Sequence, residues 1–356
     1  MDSELIFTNL VGEAVDRLVE ASGATDIVII TDTNAAELVL PVFQADSRAA
    51  AGARVVRIPA GDDSKNLDTL ASIWKSLSEQ EATRRTLVIN LGGGMVSDIG
   101  GFAASTFKRG LRCINVPTTL LGAVDASVGG KTAINFNGLK NQIGTFSLPE
   151  AVVLSTVYFN TLPEHEILSG YAEMLKHAML EGRDVYSRLL AYSPVYPEFD
   201  SERLLPLLQE SVMTKQRIVA SDPLEAGLRK CLNLGHTTAH ALEALAMKRS
   251  SPVSHGYAVA WGLLVEMIIS HSVLAFPSAD VYRYGEYVAT NYGAFAISCD
   301  DYPFIIEAMR QDKKNASAAE INFTLLADIG EPKIDCTVDE KTILSALDIY
   351  RDLMKI

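Results

Sequence analysis

Residues 86–144 combine glycine turns with cationic side chains, a composition suited to binding an anion. The short apolar run at 87–91 ends in Gly92, Gly93 and Gly94, and small and apolar residues at helical spacing follow. A glycine turn between a strand and a helix presents unpaired backbone N–H groups, which together with the helix dipole favour a dinucleotide pyrophosphate. The spacing differs from G-x-G-x-x-G, and simple punctuation of the fold is the alternative interpretation.

Two lysines follow glycine turns in the same segment. Lys131 comes directly after a glycine pair, and Lys140 and Asn141 lie just beyond Gly138. Small neighbours let each ammonium group approach an oxyanion closely, although a solvated loop lysine is the alternative for either one taken singly. Arg109 lies shortly before both turns, and the three cations together favour a phosphate or carboxylate site.

The apolar second half contains polar residues that a simple core does not need. Glu173 and Lys176 are three residues apart and share a helical face. His236 and His240 are four apart, and His255 begins a later helix. A glutamate with two or three histidines is a metal-site composition, because catalytic zinc commonly takes three protein ligands. A histidine pair alone is more often structural, and the spacing does not identify the ligating histidine, but three separate segments favour a metal site.

Further polar residues accompany these candidate ligands. Arg229 and Asn233 lie within two turns before His236 on the same helical face. Lys215 belongs to the same half of the chain and could join the group, with Glu225 behind it. A solvated helix face is an equally good interpretation of Lys215, and nothing local decides between the two.

Short β-rich runs alternate with helical stretches up to about residue 155. Strands are predicted at 26–31, 53–58, 86–91, 113–116 and 151–155, and helices at 34–43 and 67–79. This alternation predicts a parallel sheet with crossover helices and ligands at the carboxyl ends of its strands. Asp32 and Asn34 follow the first of these strands, where a polar side chain can meet a ribose or an adenine. A turn or a helix N-cap is the interpretation that the local pattern favours for Asp32.

The character of the chain changes from about residue 163. Leu, Ala, Met and Glu then recur at helical spacing, which predicts a largely helical second half. The predicted helices are 164–180, 185–191, 202–220, 228–246, 256–274 and 279–292, with loops at 193–199 and 247–254.

Composition excludes several classes of protein. The formal net charge of −13 argues against nucleic acid as a partner, so any anionic ligand must be held by a local group of cations. The four cysteines are far apart, which indicates neither a zinc ribbon nor a disulfide framework and suits a reducing compartment. The N-terminal segment carries acids where a signal peptide carries cations, and no apolar run approaches the ~20 residues that span a bilayer. We therefore expect a cytoplasmic protein with no membrane partner.

The combined motifs resemble the 3-dehydroquinate synthase family of sugar-phosphate cyclases. They run in the same order through nearly the whole chain: GGGMVSDIGGFAASTFKRG, VPTTLLGAVDASVGGKTAIN, GLKNQIGTF, SGYAEMLKHA, E-x-G-L-R-x-x-L-N-x-G-H-T-x-x-H-A-x-E and the DKK at 312–314. The resemblance implies a Rossmann-like parallel α/β domain that binds NAD at residues 1–155. It also implies an all-α, metal- and substrate-binding domain at residues 156–356.

The resemblance also implies roles for individual residues. Glu173, His236 and His255 would hold a divalent metal, zinc or cobalt, while His240 would stay unligated and serve in catalysis. Asp125 would orient the reacting groups. The remaining substrate contacts would be Arg109, Lys131, Asn141, Lys176, Lys215, Arg229, Asn233 and one or both of Lys313 and Lys314. The NAD contacts would be Asp32, Asn34, Asp62, Lys65, Gly93, Gly94, Asp98, Thr118, Thr119, Lys140 and Thr156, with Lys131 near both ligands.

Three positions depart from the family pattern. His255-Gly256-Tyr257 stands where the family usually has HGE, GHTTAH replaces GHTIGH, and Asp62 occupies a frequent glutamate position. The first departure could alter the surroundings of the metal and thus its affinity, although every implied ligand is present.

The implied reaction is a carbon–oxygen lyase step of the shikimate pathway. It converts 3-deoxy-D-arabino-heptulosonate 7-phosphate to 3-dehydroquinate and phosphate, and NAD takes a hydride from C5 and later returns it. We expect a homodimer that acts on this small sugar phosphate. The alternatives are another sugar-phosphate cyclase or a metal-dependent polyol dehydrogenase similar to glycerol dehydrogenase, a class that lacks the cation set around Arg109, Lys131 and Lys215.

Overall fold

The chain forms two compact units. The computed structural model describes residues 3–222, 225–311 and 321–356. The first unit comprises Met1–Gly170 and Asp200–Val212, and the second comprises Tyr171–Phe199 and Met213–Ile356. Two of the predicted substrate residues, Lys313 and Lys314, lie outside the described residues.

A six-stranded parallel sheet is the centre of the first unit. Its strands are β1 (Glu4–Phe7), β2 (Asp26–Asp32), β3 (Arg54–Ile58), β4 (Thr86–Gly92), β5 (Arg112–Pro117) and, later in the chain, Ala151–Leu154. With that last strand numbered β8, the order is β1-β8-β5-β4-β2-β3, and every neighbouring pair is parallel. The predicted α/β architecture of this half is confirmed.

Helices connect the strands of this sheet. They are α1 (Val11–Ser22), α2 (Thr33–Leu38), α3 (Leu40–Asp46), α4 (Arg48–Ala51), α5 (Leu67–Glu79) and α6 (Gly94–Thr106). The single helix predicted at 34–43 is wrong: Val39, with φ −114° and ψ −45°, separates α2 from α3.

Both faces of the sheet are buried, which explains why its strands are continuous apolar runs. Ile29, Leu87 and Ile89 pack into a core on one face. Their neighbours Val28 and Val88 alternate to the other face, where they pack against residues of α5 and α6. A sheet covered on both sides needs apolar residues at every position, so the sequence shows no polar–apolar alternation.

The structure contains an antiparallel hairpin that was not predicted. In the sequence it lies between β5 and β8. It consists of β6 (Lys131–Phe136) and β7 (Leu139–Phe146), joined by an Asn-Gly dipeptide at residues 137–138. Asn-Gly is typical of two-residue hairpin turns. The two glycine turns that the sequence indicated are therefore the two ends of one hairpin, and it carries Lys131, Lys140 and Asn141.

Helices dominate the second half of the chain, as predicted. They are α7 (Glu164–Glu181), α8 (Arg183–Ala191), α9 (Ser201–Ser221), α10 (His236–Lys248), α11 (His255–Leu274), α12 (Ser278–Asn291), α13 (Tyr302–Arg310) and α14 (Glu340–Met354). A 3-10 helix at Leu228–Asn233 precedes α10, and an antiparallel pair, β9 (Ile321–Asp328) and β10 (Glu331–Val338), precedes α14.

The single helix predicted at 228–246 is also wrong. Leu234 is extended, with ψ 128°, and Gly235 has φ +82°, so the chain leaves the 3-10 helix before α10 begins at His236. A side chain at Gly235 would lie 2.8 Å from Cγ of Leu263 on α11. The break therefore depends on a residue that tolerates both a left-handed backbone and a close neighbour.

Helix α11 runs through the core of the second unit. Its interior from Ala258 to Ser270 is completely buried, which explains why it is apolar on all sides. Among the described residues it is the one helix whose length and composition would suit a membrane span, and most of that stretch is buried inside the protein.

We predict that Gly100→Ala in α6 destabilises the protein. An added Cβ would lie 2.1 Å from Oδ1 of Asn90, whose Nδ2 donates to Oδ1 of Asn115 at 2.8 Å and so resists displacement. We expect the free energy of unfolding to fall by about 1–2 kcal/mol, even though alanine is the better helix former. Urea unfolding provides the measurement. Gly52→Ala is the matched control, because nothing lies within 4 Å of its added Cβ; an equal loss there would contradict the steric explanation.

Candidate active site and metal centre

One carboxylate and two imidazoles converge in the second unit. Oε1 of Glu173 lies 3.4 Å from Nε2 of His236 and 3.5 Å from Nε2 of His255. Glu173 is completely buried, and both histidines are partly buried. Among the described residues these three form a group whose ligand atoms are all close enough to hold one metal ion.

Local structure explains how the three ligands meet. Glu173 projects from the middle of α7, whereas His236 and His255 are the first residues of α10 and α11. The residue before each histidine has a non-helical backbone, so each histidine is the first residue of its helix and its ring projects from the helix N-terminus. His236 and His255 consequently stack edge to face, with ring centroids 5.4 Å apart.

The distances fit a cation better than a hydrogen-bonded cluster. Four ligands placed tetrahedrally at zinc bond lengths are about 3.3–3.4 Å apart, close to the separations between Glu173 and the two histidines. Hydrogen bonds between nitrogen and oxygen are usually shorter, about 2.7–3.2 Å. Among the described residues, Oε1 of Glu173 accepts no hydrogen bond although it is buried. A buried oxygen without a donor is costly, and a metal ion would satisfy it.

The other nitrogen of each histidine has an acceptor that orients the ring. Nδ1 of His255 lies 3.2 Å from Oε1 of Glu243, and Nδ1 of His236 lies 3.1 Å from the carbonyl oxygen of Leu234. The tautomer in which Nδ1 donates to these oxygens leaves the lone pair of Nε2 directed toward Glu173. Such partners fix ligand orientation and raise ligand basicity.

Burial and neighbouring charges shift the pKa values of Glu173, His236 and His255. Burial alone would raise the pKa of Glu173, but Lys176 and the two histidines outweigh it and hold this pKa well below its usual range. Burial would lower the pKa of His255, but Glu173 and Glu243 raise it to about 10. Burial and Lys176 lower the pKa of His236 to about 4 despite Glu173. The carboxylates thus make the position beside His255 attractive to a positive charge.

His240 and Lys176 border the three ligands. The ring of His240 packs at right angles against that of His236, with centroids 5.6 Å apart. The Lys176 ammonium is buried and forms an ion pair with Oε2 of Glu173. The structure therefore groups His236 and His255 with Glu173, and His240 lies beside this group. The spacing of the histidines had left open which of them would be ligands.

A loop of the second unit carries two more of the predicted residues. Arg229 is buried, and its backbone N–H donates to Oδ2 of Asp222 at 3.1 Å. Nδ2 of Asn233 donates to Oε1 of Glu225 at 3.1 Å. Lys215 is also buried, which argues against a solvated helix face. Asp222 accepts from further N–H groups of the same loop, so it holds the backbone that presents Arg229.

The first unit carries a glycine turn with the properties of an anion site. Gly93 is the N-cap of α6 and follows β4, so it has no side chain with which to satisfy the first amides of the helix. An added Cβ at Gly93 would lie 3.0 Å from Cγ2 of Thr119, and one at Gly94 would lie 2.9 Å from Cβ of Ala126. Only bare backbone fits here, which suits a pyrophosphate that approaches the helix N-terminus.

Predicted cofactor residues cluster around a buried lysine. Nζ of Lys65 donates to Oδ2 of Asp98 at 2.9 Å and to Oδ1 of Asn141 at 2.5 Å. Asp62 lies 3.8 Å from the same ammonium and 3.0 Å from Nζ of Lys140. The structure therefore brings together four residues assigned to NAD and one assigned to the substrate.

Other predicted residues lie where the sheet strands end. Asp32 is the N-cap of α2, where its Oδ1 accepts from the N–H groups of Asn34 and Ala35, in agreement with the interpretation that the local pattern favoured. Thr118 follows β5 and donates its N–H to the carbonyl of Gly92 at 2.9 Å. Thr156 follows β8 and is fully buried.

Three predicted residues lie at less enclosed positions of the first unit. Arg109 is exposed at the end of a 3-10 turn, and Lys131 is exposed at the start of β6. Asp125 is half-buried in a short π-helical turn at Gly122–Ala126. Their roles toward substrate and cofactor stay predictions.

Two buried or partly buried acids of the second unit carry no role predicted from the sequence. Glu243 ends the quoted histidine motif and contacts His255. Glu266 is a lone acid in the apolar run WGLLVEMIIS, and its full burial makes it conspicuous. An isolated acid within an apolar helix is a signal that could have identified Glu266, because such residues are almost never fully buried without a partner.

Two solved structures illustrate the fold that this chain shares. The chain matches 2-deoxy-scyllo-inosose synthase complexed with carbaglucose-6-phosphate, NAD+ and Co2+ with a TM-score of 0.82 and 22% identity, over 96% of this chain and 95% of that one. It matches ValA, the 2-epi-5-epi-valiolone synthase of Streptomyces hygroscopicus subsp. jinggangensis 5008 with NAD+ and Zn2+ bound, with a TM-score of 0.84 and 21% identity, over 99% of this chain and 97% of that one. These similarities establish the fold of the whole chain.

Sequence comparison identifies the family. The family described as 3-dehydroquinate synthase N-terminal matches residues 55–169, and that described as 3-dehydroquinate synthase C-terminal matches residues 170–315. The 3-dehydroquinate synthase of Parabacteroides distasonis is 43% identical over 326 residues, which are 92% of this chain and 91% of that protein. The chain belongs to the 3-dehydroquinate synthase family.

We predict that Asp98 titrates with a pKa of about 6, well above its ordinary value of 3.8. Burial is the main cause and outweighs the opposing charge of Lys65. Because the folded-state pKa is the higher one, protonation of Asp98 stabilises the fold. This contribution is complete below about pH 3.8 and is lost as the pH rises through about 6. Carboxyl NMR should show the titration, and Asp98→Asn should remove it. A midpoint near 4 would contradict the prediction.

Proposed function

We propose that the protein is a 3-dehydroquinate synthase, which converts 3-deoxy-D-arabino-heptulosonate 7-phosphate to 3-dehydroquinate and phosphate. The observation that carries this proposal is the buried Glu173 carboxylate between two Nε2 atoms, in a chain that belongs to this family. The substrate is a small sugar phosphate, and its carboxylate and phosphate call for the cations that the sequence supplies despite its net negative charge.

Two groups supply chemistry that side chains lack. When bound, a divalent zinc or cobalt ion polarises the hydroxyl that is oxidised, and NAD accepts and then returns the hydride. Glu173, His236 and His255 would hold the metal. The bare turn at Gly93 and Gly94 would hold the pyrophosphate of NAD.

Residues of the second unit would bind the substrate and move a proton. Lys176 is held beside Glu173 and can stabilise an oxyanion near the metal ligands. Arg229 and Lys215 are buried cations, and such groups bind carboxylate or phosphate more strongly than exposed ones do. His240 stands beside His236 without belonging to the ligand group, so it can accept the hydroxyl proton of the substrate.

Residues of the first unit would orient the cofactor. Asp32 at the end of β2 would meet the ribose hydroxyls, because Oδ1 is occupied by the helix cap while Oδ2 points toward Gly92. The Lys65 ammonium would stay neutralised by Asp98 while it contacts the cofactor. Asn141 is hydrogen-bonded to this lysine, so residues assigned to the two ligands are in contact with each other.

The same proposal extends to the setting of the enzyme. We assign NAD binding to a domain of residues 1–155, and metal and substrate binding to a domain of residues 156–356. The net charge of −13 supports a protein without nucleic acid partners. We further propose that it acts as a homodimer in the cytoplasm, without association with a membrane.

We predict phosphate release without net change in nicotinamide absorbance when the enzyme turns over this heptulosonate phosphate with NAD and zinc or cobalt. One hydride leaves C5 and the same hydride returns, so the reaction consumes no NAD overall. A polyol dehydrogenase would release NADH in proportion to substrate. Parallel assays of phosphate and of reduced nicotinamide distinguish the two. Stoichiometric NADH without phosphate would reject the proposal, whereas turnover of only a different sugar phosphate would indicate another cyclase.

We predict that His236→Ala strips the metal and abolishes turnover, because two remaining ligands form an incomplete site. His240→Ala should keep its metal and lose rate by roughly 10²–10⁴-fold, as expected for loss of a proton-transfer group. Elemental analysis and single-turnover kinetics are the measurements. His165→Ala, at an exposed histidine of α7, is the control and should change neither quantity. Full metal content in His236→Ala would show that the ligand assignment is wrong.

A further inference from the structure

A buried glutamate links the two helices that carry the histidine ligands. Glu266 is the single acid in α11, and its side chain has no solvent exposure. Its Oε2 accepts the N–H of Gly235 at 2.6 Å, and its Oε1 accepts the N–H of Thr238 at 3.1 Å. Both donors belong to the N-terminus of α10, so a residue of α11 caps that helix.

Glu266 replaces a capping side chain that the N-cap residue of α10 lacks. Gly235 is the N-cap of α10 and has no side chain, and the first amides of a helix have no partner within it. A carboxylate at this end also interacts favourably with the helix dipole. The helices approach closely at this point, because an added Cβ at Gly262 would lie 2.1 Å from the carbonyl oxygen of Gly235. The carboxylate therefore acts across a tight helix–helix contact.

The position of this cap relates it to the metal ligands. His236 is the first residue of α10 and lies between the two amides that Glu266 binds. His255 is the first residue of α11, the helix that carries Glu266. Glu266 thus belongs to α11, the helix that His255 begins. Its side chain also accepts hydrogen bonds from backbone N–H groups on both sides of His236.

We propose that Glu266 is a positioning residue of the metal centre, which sets His236 relative to His255 and thereby the affinity for the divalent cation. This inference rests on the metal site of the proposed function. Glu266 acts through the N-terminal backbone of α10, where it accepts the N–H groups of Gly235 and Thr238. Because α10 also carries His240, the same contact determines where that imidazole stands.

Charge and geometry both matter at this position. A glutamine of the same size has one acceptor oxygen, and its NH2 group would face one of the two backbone N–H donors. A buried donor without an acceptor is unfavourable, so the N-terminus of α10 should move or loosen in Glu266→Gln. Glu266→Asp keeps the charge but is one methylene shorter, and it should preserve one contact better than the other.

The experiment measures metal affinity directly. Metal-free wild type, Glu266→Gln and Glu266→Asp are titrated with zinc or cobalt against a chromophoric chelator. We expect Glu266→Gln to bind on the order of 10- to 100-fold more weakly, with Glu266→Asp in between. Amide hydrogen exchange of Gly235 and Thr238 in the metal-free proteins should accelerate in the same order. Neither readout depends on catalytic activity.

A matched substitution controls for loss of charge at a helix N-terminus. Asp339 caps α14 by accepting the N–H of Thr342 at 3.0 Å, and none of the three metal ligands belongs to that helix. Asp339→Asn should leave the metal affinity unchanged. If it weakens the metal as much as Glu266→Gln does, the effect is a general loss of stability and the inference is overturned.

The remaining outcomes separate this inference from the proposed function. Wild-type affinity in Glu266→Gln overturns the positioning role while the metal site stands. A wild-type protein that binds neither zinc nor cobalt overturns the metal site itself. If Glu266→Gln fails to fold, Glu266→Asp decides: weaker metal binding in a folded protein supports the role, and unchanged binding overturns it.

Discussion

The candidate metal centre of the second unit depends on a buried negative charge, the carboxylate of Glu173. A carboxylate removed from water is strongly unfavourable unless positive groups surround it. Lys176 neutralises one side through the ion pair at Oε2, and the two Nε2 atoms face the other side. Both histidines stand at helix starts, so the starts of α10 and α11 must be placed accurately. The site therefore constrains the packing of three helices.

The first unit presents backbone and short polar side chains where its strands end, an arrangement that suits an anion. A parallel sheet buried on both faces directs the carboxyl ends of its strands to one edge. Gly93 and Gly94 follow β4 at that edge, Asp32 ends β2, and Thr118 follows β5. The buried Lys65 holds Asp98 and Asn141 near this turn region by direct hydrogen bonds. Direct hydrogen bonds thus fix the positions of these polar groups relative to one another.

Errors in the sequence-based predictions occur where distant residues decide local structure. The helix predicted at 228–246 satisfied the periodicity, but contact of Gly235 with Leu263 on α11 favours a break. The hairpin of β6 and β7 was missed because its two glycine turns were interpreted separately. Glu243 and Glu266 were given no role because their partners are 12 and 28–31 residues away. Local periodicity contains no information about such partners.

The sequence by itself determined the alternating α/β half, the helical half, the glycine turn between β4 and α6 and the set of possible metal ligands, because each follows from residue type and short-range spacing. The motif order was also sufficient to identify the family. Spacing alone left open which histidines face Glu173, and the family resemblance implied His236 and His255. Only the tertiary structure shows these two, rather than the i, i+4 pair His236 and His240, beside Glu173. The reason is physical: two residues that each begin a helix can point at a third helix from different directions, whereas residues on one helix face share a single direction.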